Sequence, residues 1–201
     1  MKGGRLVLDW DGTITERDTL HMAIERFGDL DVFRRMEAEI GRRLSLNEVI
    51  AVEMATISTP LDEVVRWLLD KVEVRPGFAE IVAEHDPLVV SAGFHELIEP
   101  VLAREGVLDQ VELRANRVEA RPDGWRVLFR VSDTCAECGE PCKRADLPSG
   151  EVVYAGDSHS DFCASLAADR VFATDRLARY LSERGIAFTP LTDFRALASS
   201  L

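Results

Sequence analysis

No apolar run in the chain approaches the roughly 20 residues needed to cross a bilayer, so no membrane-spanning helix is expected. No long apolar stretch follows the first residues, so no secretory leader is expected either. Lysine and arginine are scattered rather than clustered, and at 24 they are outnumbered by 36 Asp and Glu. The formal net charge of −12 leaves no basic face for nucleic acid as a main partner. Cysteine is scarce: there are four, and Cys135, Cys138 and Cys142 stand close together. That is not the disulfide framework of a small secreted protein, and a reducing cytoplasm is the expected compartment. What is present is apolar material, 46% of 201 residues, enough for one core of ordinary size or one core with a smaller insert.

Short apolar runs that end in compact polar sequence recur along the chain. Leu6, Val7 and Leu8 lead into Asp9-Trp10-Asp11-Gly12-Thr13; PLVVSAG ends at Ser91-Ala92-Gly93; EVVYAGD ends at Asp157. Each reads as a buried strand. Between the first and second, from Asp18 to about Lys71, the pattern is helical: Leu20, Ile24 and Phe27 share one face, and Leu46, Val49, Ile50 and Met54 another. Gly28, Gly41 and Pro60 divide this stretch into about four helices. A helix is expected around His95–Arg104. Alternating runs on either side of Pro122-Asp123-Gly124 predict a β-hairpin. A strand at RVFA, a helix from Asp175 to Arg184 and a C-terminal helix follow. The expectation is an α/β fold with a mostly parallel sheet covered on both faces, an inserted all-helical segment and a β-hairpin. Residues 1–14 and 75–201 would form the core domain, and residues 15–74 a helical cap over the rim where the strands end. Ligands in such sheets bind at that rim.

Two carboxylates at one strand end repel each other unless a cation lies beside them. Asp157, ending another strand, completes an oxygen-rich site of the kind Mg²⁺ prefers. Asp161, one helical turn on, would support the cation from behind or orient the lysine. Asp9, kept ionised, could then attack phosphorus, and Asp11 could protonate the leaving alkoxide and later activate water. Ser91 supplies a hydroxyl for phosphate, and Lys143 a positive charge for its oxygens.

These residues, in this order, resemble the four motifs of the haloacid dehalogenase superfamily of phosphatases: Asp9-Trp10-Asp11-Gly12-Thr13, Ser91, Lys143, and Gly156-Asp157 with Asp161. The resemblance spans the whole chain, and the insert after the first motif resembles the cap of the phosphoserine phosphatase-like branch. It implies a Rossmann-like core. It implies Asp9 as nucleophile, Asp11 as general acid/base, and a Mg²⁺ held by the Asp9 carboxylate, the Asp11 carbonyl and Asp157. Thr13, Ser91, Ala92 and Lys143 would bind phosphate. The cysteine-rich approach to Lys143 and the ending VFATDRLARYLSERGIAFTPLTDF look more like the methionine-salvage phosphatases that act on a hydroxy-ketomethylthiopentenyl phosphate. The phosphoethanolamine/phosphocholine-type phosphatases share the cysteine-rich approach.

The departures bear on substrate. Asp18 stands where the phosphoserine branch carries a cap Glu, and Glu53 where it carries the Arg that binds the substrate carboxylate. An acid there would repel a carboxylate, so phosphoserine is a poor substrate expectation. Ser158 and Ser160 replace a Gly and an Asn, which puts His159 at the rim as a candidate substrate contact. Asp18 and Glu53 can equally be solvated helix residues. The reading is a Mg²⁺-dependent phosphomonoesterase acting on a small phosphorylated metabolite. The alternative is a catalytically weak relative that binds a phosphorylated ligand or a protein. Cys135, Cys138 and Cys142 have C-x2-C-x3-C spacing; zinc would need a fourth ligand, which the neighbouring sequence does not offer. The plainer reading is a reduced loop folded toward Lys143, with Cys163 buried on a helix.

Overall fold

The computed structural model describes residues 4–131 and 133–201. Seven strands form one sheet: β1 (Arg5–Leu8), β2 (Leu88–Phe94), β3 (Glu112–Glu119), β4 (Arg126–Leu128), β5 (Val152–Gly156), β6 (Arg170–Ala173) and β7 (Thr189–Pro190). Their order is β4-β3-β2-β1-β5-β6-β7, and every pair is parallel except β3 with β4. The buried run Leu6-Val7-Leu8 explains the central place of β1, since a strand flanked by β2 and β5 and covered on both faces has no polar side to spare. The expected hairpin is β3–β4. The two-residue β7, with one of its residues a proline, sits at the sheet edge and left no pattern in the sequence.

The helices are α1 (Thr19–Phe27), α2 (Leu30–Glu37), α3 (Leu46–Met54), α4 (Leu61–Lys71), α5 (Phe78–His85), α6 (His95–Arg104), α7 (Phe162–Ser165), α8 (Asp175–Glu183) and α9 (Phe194–Ala198). The first four fill the stretch between β1 and β2 without a strand. Their starts are set locally. Asp18 caps α1, Asp29 caps α2, and Ser45 with Glu48 forms a reciprocal capping box on α3. The chain leaves and re-enters the sheet layer at one place. Thr15 pairs antiparallel with Val74, the Glu16 N–H donates to the Glu73 carbonyl (2.9 Å), and the Arg75 N–H to that of Ile14 (2.8 Å).

The helical segment shares its core with the sheet. One cluster joins Leu6, Leu8 and Val89 to Trp10 and Ile14, and these to Met22, Ile24, Ile50, Met54 and Leu68. The hairpin braces the same segment. Trp125, wholly buried, donates its backbone N–H to the Ile57 carbonyl (3.0 Å) and its indole N–H to that of Thr59 (2.9 Å). Gly124 has φ +118°, and a Cβ there would stand 2.3 Å from the Ala55 carbonyl oxygen, so only glycine lets the turn dock.

Candidate active site

The apolar strands deliver their polar ends to one rim. β1 stops at Leu8, and Asp9 still donates its N–H to the Ala155 carbonyl (2.9 Å), which fixes it against β5. Trp10–Ile14 then make a tight turn in which Gly12 takes φ +72°. A Cβ on Gly12 would stand 2.3 Å from Asp157 Oδ2, so the glycine is what allows the motif turn to lie on the end of β5. Arg75 holds the turn from behind, donating to the carbonyls of Thr13 (2.9 Å), Gly12 (3.0 Å) and Thr192 (3.2 Å).

Lys143 is one of three lysines in the chain. It is buried, and its ammonium donates to Asp9 Oδ1 and, at 2.8 Å, to Asp161 Oδ1. Asp161 is saturated: it also accepts from the Tyr154 hydroxyl (2.7 Å) and the backbone N–H groups of Asp157 (2.9 Å) and Ser158 (3.0 Å). Burial opposes its charge, but Lys143, Tyr154 and these amides outweigh burial and hold its carboxyl below the usual range. Burial likewise opposes the Lys143 charge, and Asp161 and Asp9 outweigh it, so the ammonium stays protonated.

One ammonium does not balance three carboxylates. Burial, then the charge of Asp161, pushes Asp9 up to about 7 against the pull of Lys143. Burial, then Asp9 and Asp161, pushes Asp157 up to about 10. Asp157 Oδ1 is buried with no hydrogen-bond partner. Carboxylate oxygens of Asp9, Asp157 and Asp161 lie within 4.8 Å of one another. An uncompensated, oxygen-only donor set of this kind fits a hard divalent cation, which would supply the missing charge.

Asp11 is held differently. Its Oδ1 accepts from the Thr19 backbone N–H (2.7 Å) and hydroxyl, at the first turn of α1. Burial first, then the nearby charge of Asp18, raises its carboxyl well above the ordinary value, which favours the protonated form. Ser91 and Asp11 flank Gly93, whose Cβ would stand 3.0 Å from Ser91 Oγ and 3.1 Å from Asp11 Oδ2. The β2–β3 register shifts between Val90 and Phe94, and this irregularity carries Ser91, Ala92 and Gly93. Ser91 Oγ accepts from the Gly93 N–H (2.8 Å). The Thr13 hydroxyl donates to Asp9 Oδ2 at 3.4 Å.

A cavity of about 600 Å³ opens beside this cluster, with Ser91, Ala92, Lys143 and His159 on its wall. Apolar Leu46, Val131, Phe162 and Leu166 share the rest of the wall with charged Arg130, Arg144, Glu137 and Glu140. His159 lies under Gly41, the punctuating glycine of the helical segment, where an added Cβ would stand 3.2 Å from the ring. Asp18 is exposed and caps α1 through the His21 N–H (2.8 Å). Glu53 is neither a solvated helix residue nor part of the cavity wall: it is 5% exposed, and its Oε1 has no partner. Three site residues were not read from the sequence. Thr19 and Tyr154 carry no motif. Asn116 is a buried amide on β3 that donates to the Ala92 carbonyl (2.8 Å) and accepts from the Arg130 N–H (3.0 Å). For Asn116, a polar residue on the buried face of an alternating strand was the available signal.

Residues 6–165 match the haloacid dehalogenase-like hydrolase family, most of the chain. The chain belongs to the haloacid dehalogenase-like hydrolases. Among curated proteins, this hydrolase is 28% identical over 207 residues to the 2-hydroxy-3-keto-5-methylthiopentenyl-1-phosphate phosphatase of Bacillus cereus strain B4264, covering 96% of this chain and 93% of that protein. It is 29% identical to the protein of the same name from Geobacillus thermodenitrificans, covering 94% and 91%. Among solved structures, it superposes on a phosphoserine phosphatase described as a phospho-aspartyl intermediate analogue, with a TM-score of 0.73, 18% identity and full coverage of both chains. It also superposes on the phosphoserine phosphatase of T. onnurineus, with a TM-score of 0.69, 18% identity and coverage of 98% and 93%. Those likenesses establish the fold of the hydrolase: a sheet with its helical segment between β1 and β2. No helix among the described residues is long and apolar enough to cross a membrane.

Proposed function

We propose that this hydrolase is a Mg²⁺-dependent phosphomonoesterase that cleaves a small phosphorylated metabolite through an aspartyl-phosphate on Asp9. The observation that carries the reading is the charge arrangement at the rim: Asp9 in contact with Lys143, and Lys143 fixed by a saturated Asp161. A nucleophile beside a fixed cation suits a reaction whose demand is positioning and neutralisation of phosphoryl oxygens. The Asp9 and Asp157 carboxylates, with the Asp11 carbonyl, would hold Mg²⁺, which would add to the neutralisation of the phosphate. Asp11 holds the proton that the departing alkoxide needs, and the Thr19 contacts keep that carboxyl in place. Ser91, Ala92 and Thr13 surround the phosphate, and residues 15–74 act as the cap that shapes the remainder of the pocket.

The substrate class follows from the walls. Apolar Leu46, Val131, Phe162 and Leu166 suit an apolar portion of the substrate, beside the charged Arg130, Arg144, Glu137 and Glu140 of the same wall. Asp18 and Glu37 lie near the buried Glu53, and no cation is among the groups acting on it, so this part of the cap offers no partner for a substrate carboxylate. A hydroxy- or keto-substituted phosphate ester, of the kind named for the Bacillus and Geobacillus relatives, fits both. The test is a panel of phosphorylated metabolites with Mg²⁺ and with EDTA. Expected is chelator-sensitive turnover, with neutral esters ahead of phosphoserine. Binding of those esters with no turnover in Mg²⁺ would establish the catalytically weak alternative instead.

A further inference from the structure

Outside the carboxylate site, a second cluster of metal-ligating side chains stands near the cavity. The sequence shows three cysteines at C-x2-C-x3-C spacing and no fourth ligand nearby. The fold supplies one. Cys163, expected to be buried on its helix, is instead half-buried on α7 and faces the loop. The Sγ atoms of Cys135, Cys138, Cys142 and Cys163 all lie within 4.8 Å of one another. Cys135 Sγ and Cys163 Sγ are 3.8 Å apart.

We propose that these four cysteines hold one structural zinc ion. A tetrahedron with Zn–S bonds of about 2.3 Å has S···S edges of about 3.8 Å, the separation already present between Cys135 and Cys163. Four sulfurs and no oxygen donor select zinc over the hard cation that fits the aspartates.

The local backbone is built for thiolates. Residues 135–139 read Cys-Ala-Glu-Cys-Gly and fold into a turn in which the Gly139 N–H donates to the Cys135 carbonyl (2.9 Å) and Gly139 takes φ +78°. The backbone N–H groups of Glu137 and Cys138 stand near enough to the Cys135 sulfur, and that of Arg144 to the Cys142 sulfur, to favour their thiolates. Zinc with four thiolates carries a net charge of −2, and amide donors aimed at the sulfurs are what such a centre needs.

The loop also buries little apolar surface. Between Leu128, which ends β4, and Lys143, no described residue lies in a helix or strand, and each of residues 133–142 is exposed or half-buried. Apolar burial therefore contributes little there, and metal binding would supply the ordering free energy. The consequence reaches the active site. Cys142 immediately precedes Lys143, and Cys163 follows Asp161 by one intervening residue. The ion would pin together the two chain segments that carry the ammonium and its anchoring carboxylate.

The test is the metal content of the full chain, expressed in zinc-supplemented medium and purified under reducing conditions. One zinc per chain is expected in the wild type and in Asp157→Asn. Loss to below one tenth is expected in Cys163→Ser and Cys138→Ser. Cobalt exchanged into the wild type should give intense sulfur-to-cobalt charge-transfer absorption. If a serine variant fails to fold, titration of the wild type with a mercurial in the presence of a zinc-binding dye should release one equivalent. Four dye-free, freely reactive thiols with no zinc would overturn the proposal. So would iron in the site, a Cys135–Cys163 disulfide in the zinc-free protein, or cobalt spectra without thiolate bands. None of these readouts depends on phosphatase turnover.

Discussion

At the ends of β1 and β5, buried Asp9 and Asp161 and half-buried Asp157 gather around one ammonium. In the helical segment, Glu53 is buried with Asp18 and Glu37 nearby and no cation among the groups acting on it. The first group has Lys143, a tyrosine hydroxyl and two backbone amides on a single carboxylate. The second has an oxygen with no partner. Both buried sites raise carboxyl pKa values by desolvation, but only the first can keep a carboxylate ionised. The rim is organised to hold charge for chemistry, while the helical segment keeps its acid neutral and presents little charge to what lies beneath it. Burial alone therefore does not mark a reacting carboxylate; the donors gathered around it do.

Removing the charge at the rim is the strongest way to break this contrast. Asp9→Asn should lower kcat by about 10⁴-fold or more, because the nucleophile itself is gone. Its melting temperature should not fall, since the substitution removes one of three mutually repelling carboxylates while Leu6, Val7 and Leu8 still hold the strand. Steady-state kinetics with a neutral phosphate ester and a thermal melt check both, and turnover within tenfold of wild type would rule out Asp9 as nucleophile.

A smaller effect should come from Asp11→Asn, which keeps the shape at Thr19 but removes the transferable proton. A loss of about 10²–10⁴-fold in kcat is expected, the range of general acid–base help. The loss should be least for esters whose leaving group needs no proton, so an aryl phosphate with an acidic phenol should be spared relative to an alkyl phosphate. Equal losses for both would exclude the acid role.

The mildest change sharpens the other side of the comparison. The Glu53 carboxyl is pushed from 4.5 to about 8, by burial first and then by Glu37 and Asp18. Between those values the unfolded chain has released a proton that the folded chain retains, so native stability falls as pH rises through this window. Glu53→Gln removes the titration. The variant should match the wild type in stability near pH 4.5 and exceed it by about 1–3 kcal/mol at pH 9. Denaturant unfolding at the two pH values decides it; an equal difference at both would show that Glu53 does not titrate in this way.

Much of the sheet was legible because each buried strand is an apolar run stopped by polar residues, and Asp9, Ser91 and Asp157 are those stops. The helices of the segment between β1 and β2 were legible because their caps are local: Asp18, Asp29 and Ser45 act within three residues. What the sequence left hidden depends on topology. Thr19 meets Asp11 only because the motif turn folds back on α1. Tyr154 reaches Asp161 because the chain bends straight after β5. Cys163 joins three cysteines far upstream because α7 lies against the loop before Lys143. Glu53 falls on the apolar stripe of α3 beside Val49, Ile50 and Met54, and its charge hid that position from a reading by residue type.

The pairing of Thr15 with Val74, next to the Arg75 guanidinium that holds the motif turn, has a consequence for how such a molecule can change over evolutionary time. Everything between those two residues begins and ends at one point, so from the side of Asp9 the helical segment is a closed loop. Loop length carries a small entropic cost once the ends are joined. A replacement of different size and composition would leave the motif turn where it is, provided that it still covers Trp10 and Ile14 and still holds the Asp11 carboxyl as Thr19 does. The motif turn and most of the segment beyond it can therefore be altered separately, with Arg75 at the seam between them.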